Sequence, residues 1–103
     1  MRAELIEPVK QVVFLQKQIL KSTDKKEINL FINKILQITL DMPSNPFDRS
    51  GKILFFNQLR REQEMMLMDS NSRASFWRFQ IVISIEQLLI VLTEESVFLD
   101  VLE

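Results

Sequence analysis

The chain has 103 residues, 47% of them hydrophobic and 26% charged, with a formal net charge of −1. That length fits one domain with a single core, and the balance is that of a globular protein, not a disordered one. Cysteine and histidine are both absent, which excludes disulfides, thiolate metal sites and cysteine nucleophiles and removes the usual general base and the commonest transition-metal ligand.

With one glycine and three prolines there are few places for tight turns, so long helices with few connections follow. The first is predicted from Pro8 to about Lys21, with Pro8 at the first helical position, where its missing N–H costs nothing. Leu5, Val9, Val12, Val13, Ile19 and Leu20 share its apolar face. Phe14 points away, on the side of Lys10, Lys17 and Lys21, and Lys25 and Lys26 continue that basic line. Asp24, with Glu27 three residues later, is an N-cap arrangement of the reciprocal kind. The second helix presents Ile28, Phe31, Ile35, Ile38 and Met42 on one stripe, opposite Lys26, Asn29, Asn33 and Gln37. Pro43 stops it, because the residue before a proline is pushed out of the helical region.

Met42 to Gly51 is the main loop. Its Asn45-Pro46-Phe47-Asp48 resembles the Asn-Pro-Phe peptide bound by EH domains of eukaryotic endocytic proteins. The competing expectation is that Phe47 plugs the end of the bundle. A third helix follows from about Lys52 to Met68, with Phe55, Phe56, Leu59, Met66 and Leu67 inward and Asn57, Arg60, Arg61 and Glu64 opposite. Met65 and Met68 are left off its buried stripe.

Arg73 to Leu92 is the most apolar stretch and contains neither glycine nor proline. Wound as a helix it is apolar around most of its girth, with Gln80, Ser84 and Gln87 on one line, so it is expected to be a central post enclosed by neighbours. The alternation of Trp77, Phe79, Ile81, Ile83 and Ile85 with Arg78, Gln80 and Ser84 also fits a strand paired with Lys52 to Phe56. The unbroken run to Leu92 is too long for a typical strand and favours the helix. Thr93-Glu94-Glu95-Ser96 looks like a new start, giving a final short helix from Glu94 to Leu102.

The chemistry available is sparse. Glu62 with Glu64, and Glu94 with Glu95, do not direct two carboxylates at one point. No serine has a base to activate it, and a glycine-rich phosphate loop is impossible. No enzyme, cofactor or metal is expected. The N-terminal segment lacks the apolar run of a secretory signal, and Phe79 to Leu92 is short for a bilayer and carries Glu86. A soluble, cytoplasmic protein is expected.

Charge is unevenly divided. Residues 1–61 hold 11 basic and 6 acidic side chains, and residues 62–103 hold 2 and 8. Opposite blocks of this kind can attract within one fold or between two copies. The expectation is an all-α antiparallel bundle of four main helices plus a short C-terminal one, forming a single non-enzymatic interaction domain. Its partner-binding candidates are Lys10, Phe14, Lys17, Lys21, Met65, Met68, Phe76, Trp77 and Phe98, and its first expected partner is a second copy. Nucleic acid held along the lysine line with Phe14 is the alternative, and a plain solvated lysine face is the third possibility.

Overall fold

The computed structural model describes residues 3–43, 49–70 and 75–102, with the backbone alone at 49, 75 and 94–102. Four helices account for nearly all of it: α1 (Ala3–Lys21), α2 (Lys25–Asp41), α3 (Arg49–Met68) and α4 (Ser75–Leu102). Among the described residues there is no strand, so Trp77 to Ile85 is helical and the hairpin alternative falls. The Asn45 to Asp48 tetrapeptide lies outside the described residues.

Polar ties between helices give the topology. Lys25 Nζ donates to the Asp69 carbonyl (2.7 Å), Gln63 Nε2 to Asn29 and Asn33, and Lys52 Nζ to the Met42 carbonyl (3.0 Å). As α2 numbers rise, their α3 partners fall, so the two helices run antiparallel. The same descent links α1 to α4 through Ser22–Arg78 and Gln16–Glu86, and α3 to α4 through Glu62–Ser84 and Asp69–Trp77. Each helix packs on the next and α4 closes back on α1, an up-down-up-down bundle measuring 49 × 22 × 19 Å.

The core runs the length of this bundle. Val12, Leu15, Ile19, Ile28, Ile32, Ile35, Leu59, Met66, Ile81 and Ile85 fill most of it, and Leu5, Met42, Leu88 and Leu92 close the far end. Leu5 explains why α1 begins earlier than Pro8 predicts. Pro8 sits inside the helix, where it removes one backbone bond. Burying Leu5 against Met42, Leu88 and Leu92 offsets that loss.

Asp24 caps α2 as expected, accepting from the Lys26 N–H at 3.1 Å, but the reciprocal half is not made by Glu27: the Asp24 N–H donates to Ser22 Oγ. The buried stripe of α2 is centred on Ile28, Ile32, Ile35 and Thr39, with Phe31 and Ile38 half-buried at its edges. Leu20 and Leu67, both predicted inside, are exposed, whereas Leu15 and Gln63 are buried.

α4 corrects the sequence-based expectation most. It is one helix of 28 residues, not two. Thr93 does not cap a new helix. Its hydroxyl bonds back to the Leu89 carbonyl at 2.8 Å, the local bond that lets a Thr sit within a helix. With no glycine or proline nearby, nothing stops the backbone. Nor is α4 an enclosed post. It packs on α3 and α1 and leaves a third side bare, with Phe76, Phe79, Ile83 and Ile90 exposed.

Candidate interaction surface

Among the described residues two grooves between helices stand out, and five of the nine partner-binding candidates line them. The first, about 540 Å³, runs between α3 and α4 and is lined by Leu54, Met65, Phe76 and Trp77, with Arg61, Glu62, Gln58 and Gln80 along its edges. Three candidates from two helices, Met65 of α3 and the adjacent Phe76 and Trp77 of α4, therefore meet in one place. Local structure holds them there. Trp77 is half-buried and donates its Nε1–H to Asp69 Oδ2 at 2.7 Å, which fixes the indole against the end of α3. Phe76 packs edge-on against it, with centroids 5.1 Å apart at 84°, the arrangement the ring quadrupoles favour. Phe76 itself remains 62% exposed.

Two residues of the groove's edge, Gln58 and Glu62, are tied to a buried hydroxyl of α4. Ser84, only 1% exposed, donates to Glu62 Oε2 at 2.6 Å and accepts weakly from Gln58 at 3.5 Å. The line of amide and hydroxyl groups along α4 thus turns toward α3 at Ser84, and Gln80 and Gln87 rim the exposed side. A carboxylate can remain half-buried here because a hydroxyl donor answers it.

The second groove, about 530 Å³, lies between α1 and α2 and is lined by Phe14, Leu15 and Ile38, with Glu7, Lys10, Lys34 and Asp41 also along it. Phe14 is 61% exposed and stands beside Lys10 as expected. Lys17 and Lys21 are also exposed on α1 but do not line the groove. Lys25 leaves the basic line altogether. It is half-buried and its ammonium caps the C-terminal end of α3 through the Asp69 carbonyl, where the helix dipole favours a cation.

Met68, 85% exposed, stands at the end of α3 outside both grooves. Phe98 lies in the part of α4 described by backbone alone, so its side chain falls outside the described residues. Arg78, near the start of α4, donates from Nη1 to the Ser22 carbonyl at 3.0 Å and lies over the Phe79 ring at 5.4 Å. It ties α1 to α4.

Sequence reasoning did not single out Leu54, Phe79, Ile83 and Ile90, all exposed and all beside the α3–α4 groove or along the bare side of α4. α4 is so evenly apolar that its periodicity carries almost no directional signal. The continuous helix also lengthens the apolar segment: Phe76–Thr93, 18 residues, is long and apolar enough to cross a membrane by length and composition, and 33% of it is buried in this fold. Compared with protein-family models, curated proteins and solved structures, the chain matches none of them.

Proposed function

We propose that this chain is a cytoplasmic, non-enzymatic protein–protein interaction module, an adaptor, regulator or assembly subunit that works through exposed helix faces. The observation that supports the reading is the convergence of Met65, Phe76 and Trp77 on one groove, continued along α4 by exposed Phe79 and Ile83. Contiguous apolar surface of this kind marks interfaces, and tryptophan is among the residues that most often anchor them. A protein partner or a second copy of the chain would occupy it, with no membrane span. Cross-linking in the native host followed by mass spectrometry tests this. A partner, or a second copy, held by the wild-type chain and lost in Met65→Glu and Phe76→Glu is the expected result. Capture that is unchanged in both variants would rule out this groove.

A second reading has one observation in its favour: Lys10, Phe14, Lys17 and Lys21 are all exposed along one side of α1. Phosphates could lie on the ammonium groups with a base on the ring. Glu7 and Asp41 beside Lys10 work against it. A gel shift at low salt that weakens in Lys17→Glu and Lys21→Glu would favour this reading, and no binding at low salt would end it.

A further inference from the structure

We infer that the occupant of the α3–α4 face is the same face of a second copy, with the two α4 helices lying antiparallel across a twofold axis near Ile83. The inference rests on the interaction-module reading and names its partner. Phe76, Ile83 and Ile90 recur at intervals of seven residues, and with Phe79 they fall within about 60° of the helix circumference. They are 62, 53, 44 and, for Phe79, 57% exposed. Such a stripe spans about 21 Å of helix and is the seam that a second helix fills.

Area supports one copy covering another. With Leu54 and Met65 from α3 the face presents six large apolar side chains at about half exposure, on the order of 600–700 Å² per copy against about 800 Å² per partner in a standard interface. That exceeds what a monomer usually leaves bare. One charged residue borders the stripe, Glu86, seven residues after Phe79, and its carboxylate accepts from Gln16 Nε2 at 3.0 Å, while the side toward α3 is rimmed by the neutral amides of Gln80 and Gln87. The seam can therefore close with Glu86 left at its rim on its Gln16 partner, and no charge need be buried between the copies.

Charge selects the direction. In a parallel pair each residue stands level with its own copy, so Glu86 would meet Glu86 and the Glu94–Glu95 positions would lie side by side. Turned about Ile83, Phe76 comes level with Ile90 of the other copy and Glu86 with Gln80. The Glu94–Glu95 positions then separate by about 33 Å along the axis. The groove's lining carries one basic and one acidic side chain, Arg61 and Glu62, and so offers no cationic patch to an anionic membrane or nucleic acid.

The full chain has no cysteine, so single substitutions at exposed positions introduce the only thiol. Under mild oxidation with diamide, Ile83→Cys is expected to form a covalent dimer rapidly, and Leu30→Cys on α2 at most slowly. Light scattering of the wild type is expected to give twice the 12.2 kDa chain mass. Ile83→Glu, at a position already exposed, should keep its helical circular dichroism and weaken association by about 100-fold. A wild-type chain that stays monomeric near millimolar concentration overturns the inference. So does a dimer that survives Ile83→Glu or that cross-links preferentially through Leu30→Cys. In either case the module reading stands or falls separately, on the Met65→Glu and Phe76→Glu capture experiment. A monomer that binds phosphatidylcholine vesicles and loses them in Ile83→Glu overturns it in favour of a lipid surface.

Discussion

Replacing Ser84 with alanine tests whether the polar line of α4 faces into the bundle or out of it. Ser84 is 1% exposed and its hydroxyl reaches Glu62 at 2.6 Å. A hydrogen bond to a charged group contributes about 1.5–3 kcal/mol. Glu62 is only half-buried, so water can reach the freed carboxylate and the loss falls at the lower end, about 1.5 kcal/mol. Alanine is the better helix former by about 0.5 kcal/mol. The net expectation is a destabilisation of about 1 kcal/mol, a fall of roughly 5 °C in Tm for a domain of this size. Were Ser84 solvated, only the propensity gain would remain and the variant would be slightly more stable than the wild type. The sign therefore separates the two geometries. Thermal and urea unfolding followed at 222 nm, with Trp77 emission as a second probe, measure it at low concentration, where self-association contributes little. Gln87→Ala, on the exposed rim, is the control and should gain a few tenths of a kcal/mol. A Ser84→Ala variant at least as stable as the wild type refutes the inward geometry.

Further outcomes follow from other contacts. Gln63, buried at 8% exposure, donates one N–H to each of Asn29 and Asn33 at 2.7 Å. Gln63→Met keeps the volume and removes both donors, so it should cost about 1–2 kcal/mol in urea unfolding, and a neutral result would show that packing alone holds α2 on α3. Asp24→Ala removes the acceptor of the Lys26 N–H and should lower stability by about 1 kcal/mol, with Asp24→Ser restoring most of it. Glu94→Pro distinguishes one long helix from two. At the first position of a separate helix proline is tolerated, whereas inside a continuous α4 it should cost about 3 kcal/mol or more of helix stability and lower the 222 nm signal.

How much of this was legible depended on how sharply each segment contrasts its faces. α2 is amphipathic, begins at a capping Asp24 and ends before Pro43, and it was readable almost to the residue. Even there the stripe was rotated slightly. Asn29 and Asn33 looked like solvent-facing residues, and Gln63 recruits them across the helix interface. Met65 and Met68 could be placed off the buried stripe of α3 because four consecutive helical residues cannot share one side. Phe14 could be placed outward for the same kind of reason, and all three are exposed. That Met65 would meet Phe76 and Trp77 in one groove was only half visible, since the contact depends on how α3 and α4 fold back on each other.

Composition, scarce turn residues and the caps settled that the chain is helical and roughly where α2 and α3 lie, because those signals act within a few residues and need no partner. Which side of α4 is covered was decided in three dimensions. A rod that is apolar nearly all round gains about the same free energy whichever face it buries. The choice then falls to the few directional contacts, Glu62 to Ser84, Gln16 to Glu86 and Arg78 to Ser22. The same contacts left Phe76, Phe79, Ile83 and Ile90 facing outward. Each joins residues far apart in the chain, and no local pattern can register them.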